Sequence, residues 1–514
     1  MPLTIITSIC FIMLLAASGY GAINPIEIDG RHFFDSVTKE PFFLKGIDYQ
    51  PGGSAGFLGH VDPLSDLHSC ARDVFLFQKL GINTVRVYSV NPDLNHDACM
   101  SLLANAGIYL VLDVNSPRPG EALNRYEPWT TYGPYYLEHV LRIVHQFSGY
   151  NNTLGFFAGN EIVNDEVSAR ESPSYIKAVV RDMHQYMKLH SPRQVPVGYS
   201  AADDLRYRVS LANYLECGEP GTNVDFYGVN SYQWCGHQTF KSSGYDTLVD
   251  NYADYSLPIF FSEFGCNAIT PRMFQEIDSL FSQQMTSIFS GGLVYEYAQE
   301  NNNYGLVEIA PDGSAHMLED FDTLQRQYQD RDAYYDFSQE QESVRPVRCK
   351  THYAHLTINR KLPDTPIPEM LQRGLAIPHG KFVDVRINAT RFKIFDRDQK
   401  EIKLRQIKST NDLWAPAATP ADKRPIQKLM FFAPQVPRLP LVPGGGQHHQ
   451  GTTTTAIPGQ PPSNNNNQSS NKAVINKKAN SSSALRFSDT LLQLLLGSII
   501  VGGPFAGLIW FDLI

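Results

Sequence analysis

Two glutamates interrupt apolar runs in this chain. LGFFAGNE (154–161) is apolar or small until it reaches Asn160 and Glu161, and LPIFFSEFG (257–265) is broken in the same way by Glu263. A carboxyl at the tip of a buried strand is costly unless it is paired or used. Two of them suffice to break a glycosidic bond. One protonates the leaving oxygen and the other stabilises or attacks the anomeric carbon, and a separation of about 5 Å makes the second a nucleophile with retained configuration. Asn160 gives Glu161 a neighbouring amide able to donate to a sugar 2-hydroxyl. Glu161 is therefore expected to be the acid/base, raised by apolar surroundings or a nearby negative charge. Glu263 is expected to stay ionised, with Tyr232 and Tyr295 as candidate phenol donors. A bell-shaped acidic pH profile follows from that division. Glu166, Glu296, Glu300 and Glu308 read as surface or supporting acids. The plainer alternative for a strand-tip acid is a helix cap.

Such carboxyls need a frame to bring them together. Between residues 40 and 300, short β-rich runs alternate with turns and helix-like stretches. The strand candidates are FFLKGIDY (42–49), TVRVYSV (84–90), YLVLDV (109–114), LGFFAGNE (154–161), PVGYSA (196–201), VDFYGVNSY (224–232), LPIFFSEFG (257–265) and GGLVYEYA (291–298). Most are continuously apolar, as strands covered on both faces are. ARDVFLFQKLG (71–81) reads as an amphipathic helix stopped by Gly81. Eight such repeats predict an α/β fold of the (β/α)₈ TIM-barrel class, in which reacting groups sit at the C-terminal ends of strands. Glu161 and Glu263 end the fourth and seventh strands, and Tyr88, Asp113, Tyr232 and Tyr295 lie toward the ends of the second, third, sixth and eighth. An open doubly wound sheet is the alternative, weakened because no glycine-rich phosphate loop follows the first strand.

The rest of the 514 residues carries less chemistry. A net charge of -9 without a basic stripe argues against nucleic acid. Residues 3–20 are apolar and then small, which reads as a secretory signal peptide (1–22) cleaved between Gly19 and Ala22. The catalytic barrel is assigned to 23–349. Residues 350–435, containing the alternating run KFVDVRINATRFKIFD (381–396), read as a small β-containing appendage or wrapping segment. Residues 436–483 are a Pro/Gly/Ser/Thr/Asn-rich stalk. ANSSSA (479–484), a spacer and the apolar tail within 484–514 make a glycolipid-anchor signal, with Asn480 or one of Ser481, Ser482 and Ser483 taking the anchor. The alternative is a single membrane span. Removing Cys10 with the signal leaves six cysteines, which allow fifteen pairings. Glycan sequons stand at Asn151, Asn388, Asn467 and Asn480. Neither cysteine nor histidine spacing suggests a metal, and His448 and His449 read as an incidental pair in the stalk.

Five segments in order, VNPDLNHDAC (90–99), GNE (159–161), NSYQWCG (230–236), SEFGCN (262–267) and GGLVYEY (291–297), resemble glycoside hydrolase family 72. These are fungal, glycolipid-anchored β-1,3-glucanosyltransferases, and the resemblance covers about residues 24–350. It implies an enzyme that cuts a β-1,3-glucan chain and transfers the new reducing end to another, with Glu161 as acid/base and Glu263 as nucleophile. It places Gln50, Tyr88, Asp113, Asn160, Tyr232 and Tyr295 along the donor cleft. It also implies the pairings Cys70–Cys99, Cys217–Cys349 and Cys235–Cys266. The expected partners are donor and acceptor glucan chains and, through the anchor, the outer face of the plasma membrane. No metal or organic cofactor is required, and a monomer is expected. No cysteine follows Cys349, so the cysteine-rich family 43 carbohydrate-binding module of some relatives is expected to be absent. Transfer requires an acceptor platform, for which Tyr232, Trp234 and Tyr304 are candidates. A retaining endo-β-1,3-glucanase is the chemical alternative, and an inert wall-glucan-binding protein is the non-enzymatic one.

Overall fold

The computed structural model describes residues 23–329, 331–335, 347–358, 361–385, 389–403 and 405–409. The signal segment, the Asn388, Asn467 and Asn480 sequons, the stalk and the apolar tail lie outside them. The chain opens with a small antiparallel sheet of β1 (Ile26–Asp29), β2 (His32–Asp35) and β3 (Pro41–Phe42). Eight parallel strands then close a barrel. They are β4 (Leu44–Asp48), β5 (Thr84–Val87), β6 (Tyr109–Asp113), β7 (Thr153–Asn160), β8 (Val197–Ala201), β9 (Phe226–Ser231), β10 (Ile259–Phe264) and β11 (Phe289–Val294), with β11 bonded back to β4. Each of the eight predicted runs contains or overlaps one of these strands.

Helices cover the barrel. They are α1 (Leu67–Leu80), α2 (Asp97–Asn105), α3 (Pro128–Thr131), α4 (Pro134–Phe147), α5 (Glu166–Glu171), α6 (Pro173–His190), α7 (Arg208–Leu215), α8 (Tyr245–Asn251), α9 (Glu276–Leu280), α10 (Gln283–Thr286), α11 (Glu319–Gln329) and α12 (Pro368–Arg373). Helix α1 shows why its start differs from the expected 71. Asp66 accepts from the His68 backbone N–H and caps the helix four residues earlier, while Gly81 ends it with φ of 77°. Among the described residues no helix is long and apolar enough to cross a membrane.

Two apolar layers hold the strands. The larger lies between barrel and helices. The smaller fills the barrel's lower interior, where Phe33 from β2 packs against Phe226 and Phe260, and Phe157 packs on both of those rings. Gly198 is required there, because a Cβ would stand 2.3 Å from the Phe226 ring. Phe157 is the top of this plug and the floor of what lies above it.

The C-terminal stretch departs from the expected alternating β unit. Among the described residues of 381–396 only β14 (Ile394–Phe395) forms a strand, joining β12 (Val307–Ile309) and β13 (Ala315–Met317) in a small sheet. The earlier part is spent on helix α2 instead: Lys381 N–H donates to Asp97 Oδ1 and Val383 N–H to Ser101 Oγ. Ile367, Leu371, Val385, Ile394 and Ile407 join the barrel–helix core, so these residues wrap the barrel. Three disulfides are present, Cys70–Cys99, Cys217–Cys349 and Cys235–Cys266. The second fastens the wrapping segment. The third ties the loops after β9 and β10.

Candidate active site

The strands are shorter at their C-terminal ends than the apolar runs, and the difference builds the site. Tyr88, Glu161, Tyr232 and Tyr295 are each the first residue beyond β5, β7, β9 and β11. They leave the ladder where a (β/α)₈ barrel opens. Asp48, Asp113 and Glu263 remain inside β4, β6 and β10.

Glu263 is 7% exposed and is gripped from three directions. Arg86 Nη1 donates to its Oε1 at 3.1 Å, Tyr88 Oη to Oε1 at 2.9 Å, and Tyr232 Oη to Oε2 at 2.8 Å. One donor is a cation and two are phenols, and all three favour the ionised carboxylate. Burial and the charge of Glu263 hold the Tyr232 phenol well above its ordinary range, so it remains a donor. Tyr88 is held up by burial, with Asp48 and Glu263 adding to it.

Arg86 is the hub. It is fully buried on β5, lies over the Tyr88 and Phe157 rings at 4.3 and 4.7 Å, and forks onto Asp113 through Nε and Nη2 at 3.0 and 2.9 Å. Burial opposes its charge, but Asp113, Tyr88 and Glu263 outweigh that and hold it cationic. Its isolated charge within VRV was visible in the sequence but escaped a reading focused on strand tips.

Glu161 stands in another setting. Its φ of 48° is unusual for a residue with a Cβ, and its N–H is tied to Ser200 O at 2.9 Å. One side-chain donor reaches it, Asn230 Nδ2 at 2.6 Å to Oε1. The Asn230 amide is oriented by hydroxyls: Ser262 Oγ and Ser200 Oγ donate to its Oδ1 at 2.8 and 3.2 Å, which turns its NH₂ toward Glu161. Burial pushes the Glu161 carboxyl up to about 7, the Glu263 charge adds to the shift, and the Asn230 hydrogen bond works against it. The arrangement can therefore present one protonated and one ionised carboxyl in the same cleft. Asn230, Ser200 and Ser262 were not singled out from sequence, because polar residues in short strands read as ordinary ladder positions.

The other expected residues divide into groups at the cleft and groups behind it. Asn160 accepts from Asn230 at 3.5 Å, leaving its NH₂ uncommitted. Tyr295 does not donate to Glu263; that second phenol is Tyr88's. Tyr295 instead stands edge-on to Tyr88, Tyr232 and Tyr304, with centroids 6.5, 6.4 and 5.2 Å away. Asp113 is spent on Arg86. Gln50 braces the backbone beside Tyr88: its Oε1 accepts from the Tyr88 and Ser89 N–H groups at 3.2 and 3.1 Å. Trp234 is not an open platform, being 5% exposed and packed on Tyr245, whereas Tyr304 stands 5.8 Å from the Tyr232 ring and extends the aromatic wall. Arg272 fixes that wall by donating to the carbonyls of Tyr295 and Tyr304 at 2.7 and 2.5 Å. Glu296 is buried and raised to about 8 by burial, although the Asn302 amide donates to it at 2.7 Å. Among the described residues no cluster of three His, Cys, Asp or Glu side chains could hold a metal.

Comparison with known proteins gives this geometry its relatives. Residues 16–332 match the family model described as glucanosyltransferase, glycoside hydrolase family 72. The chain is 52% identical over 431 residues to the 1,3-beta-glucanosyltransferase GAS4 of Saccharomyces cerevisiae, spanning 81% of this chain and 91% of the relative. It is 42% identical over 405 residues to the 1,3-beta-glucanosyltransferase gel2 of Aspergillus fumigatus, spanning 77% and 84%. Among solved structures, Saccharomyces cerevisiae Gas2p in complex with laminaritriose and laminaritetraose matches with a TM-score of 0.62 and 38% identity, over 68% of this chain and 78% of that one. With an eight-stranded barrel, a match across most of its length and relatives of this identity, the chain belongs to the glucanosyltransferases of glycoside hydrolase family 72.

Proposed function

We propose that this enzyme cleaves β-1,3-glucan and transfers the new reducing end to another β-1,3-glucan chain by double displacement. The observation that carries the mechanism is the contrast between the two glutamates: Glu263 has three donors, one cationic, and Glu161 has one neutral donor and a carboxyl raised to about 7. Glu161 gives its proton to the glycosidic oxygen as a Glu263 oxygen attacks the anomeric carbon. The C–O bond to the leaving chain breaks and a glycosyl ester forms. The acceptor hydroxyl then attacks that carbon, Glu161 takes its proton, and the ester bond to Glu263 breaks. The uncommitted amide of Asn160 is placed to meet the sugar 2-hydroxyl.

The substrate class is supported by the relatives' names and by the laminari-oligosaccharides bound to Gas2p. An acceptor sugar has the Tyr232–Tyr295–Tyr304 wall to stack on. A secretory leader, a glycan at Asn151, which is partly exposed between α4 and β7, and a glycolipid anchor near Asn480 complete the proposal. They rest on the sequence patterns and place the enzyme at the outer face of the plasma membrane and the wall.

The test is a product profile from one reduced-end β-1,3-gluco-oligosaccharide. Products longer than the substrate are expected. Only shorter products would make the protein a glucanase, and an unchanged substrate with the folded protein would leave it a binder.

A further inference from the structure

One buried acid has no place in this mechanism. Asp48 ends β4 in register with Arg86 and is fully buried, yet among the described residues no donor reaches either of its carboxyl oxygens. The nearest cation is Arg86 Nη1, 4.0 Å from Oδ1. Both hydrogens of Nη1 are already spent, on Ser262 O and on Glu263 Oε1, each at 3.1 Å. Nε and Nη2 bind Asp113.

Nothing else around Asp48 makes good the deficit. From β5 it faces Arg86, from the loop after β5 Tyr88, from β6 Asp113, from β10 Glu263, from the loop after β9 Tyr232, from the loop after β11 Tyr295 and Glu296, and from α11 Tyr328. Tyr88 and Tyr232 give their hydroxyl hydrogens to Glu263, and Tyr328 gives its own to Gly46 O at 3.1 Å. A single guanidinium already serves two carboxylates. A third buried carboxylate with no donor would be far costlier than a neutral acid in the same place. Burial pushes the Asp48 carboxyl well above its ordinary range. Arg86 pulls against that shift, and Glu263, Asp113 and Glu296 add to it.

We propose that Asp48 is a positioning residue that keeps its proton: a neutral carboxyl beneath the nucleophile, filling the space beside Arg86 without competing for its charge, so that Nη1 stays on Glu263. The functional half of this inference rests on reading Glu263 as the nucleophile. The protonation half does not.

The experiment compares wild type, Asp48→Asn and Asp48→Ala by thermal unfolding across about pH 4 to 8 and by kcat and KM at one mildly acidic pH. In the unfolded chain an aspartate ionises near 3.9. A native carboxyl that keeps its proton above that value makes folding less favourable as pH rises, until its own native titration is reached. Asparagine has no such proton to keep. The Tm of Asp48→Asn should therefore exceed that of wild type by a margin that grows with pH, from about zero near pH 4 to several degrees near neutrality. Asp48→Asn should stay within about threefold of wild type in kcat, whereas Asp48→Ala should lose about tenfold or more in kcat with little change in KM. A constant Tm difference across pH, or an Asp48→Asn variant less stable than wild type at neutrality, would overturn the neutral assignment. Equal kcat losses in the two variants would overturn the positioning role. A wild type inert on glucan would defeat the proposed function instead, while the Tm series would still read the Asp48 proton.

Discussion

The two rims of the cleft use the same residue type under opposite rules. On the β10–β5–β6 side, Glu263 shares a fully buried cation with Asp113 and accepts from two phenols. On the β7–β8–β9 side no cation among the described residues hydrogen-bonds the carboxyl, and Arg125 and Arg86 only pull from a distance against its upward shift. Glu161 meets a carboxamide held in place by two serine hydroxyls, and burial carries its carboxyl up to about 7. What would make one glutamate the nucleophile and the other the acid, as proposed, is the charge and number of the donors, since both residues stand near or just beyond a strand end. Both ends are also irregular: the β7–β8 pairing slips between Phe157 and Asn160, and the β9–β10 pairing slips between Phe261 and Glu263. Such slips re-aim side chains beside active sites.

Removing either carboxyl tests the contrast most severely. Glu263→Ala should lower kcat by about 10⁴-fold or more. Glu161→Gln should lower it by about 10²- to 10⁴-fold, with the circular dichroism of both variants unchanged. Appreciable transfer by either one would break the assignment of roles. Next comes the cation. Arg86→Met leaves two buried carboxylates unpaired, so denaturant unfolding should show a loss of about 3–5 kcal/mol, with activity falling alongside it. A stable, active variant would mean that the Arg86–Glu263 pair is not what holds this rim of the cleft together. Tyr232→Phe removes one hydrogen bond to a charged group, worth about 1.5–3 kcal/mol, and should cost about ten- to a hundredfold in kcat/KM. The subtlest test sharpens the other rim. In wild type the alkaline limb of kcat/KM should fall near pH 7, as Glu161 loses its proton. The Asn230 hydrogen bond favours the ionised form, so Asn230→Ala should move that limb to higher pH. A limb that moved down would reverse the electrostatics argued for Glu161.

Much of this was legible because burial writes itself into composition. Short β-rich runs, most of them continuously apolar, predicted the eight barrel strands, since strands covered on both faces have no polar side to show. Glu161 and Glu263 stood out for the same reason, as charges where such a run should have ended plainly. The alternating run 381–396 misled, because its period matches a half-exposed strand whether or not a partner strand is available. Here its opening residues are spent on α2, and among its described residues only Ile394–Phe395 forms a strand, with Ala389 making a single bridge to Gln406. The donor role expected of Tyr295 and the platform role expected of Trp234 failed because composition does not tell which way an aromatic ring points. Tyr295 faces the aromatic wall and Trp234 faces the core.

The sequence by itself determined the barrel, the two carboxyls and the strand ends that carry them, because hydrophobic burial and strand length are local properties of a chain. The proposed division into acid and nucleophile was expected from Asn160 and the nearby tyrosines, but the contacts that distinguish the two carboxyls come from residues far apart in the chain. Arg86 from β5 reaches Glu263 on β10, and Asn230 from β9 reaches Glu161 beyond β7. Asp48, Asp113 and Glu263 meet around one guanidinium only when the eighth strand closes on the first. Electrostatic roles depend on distance and dielectric in three dimensions, and only the closed barrel sets those.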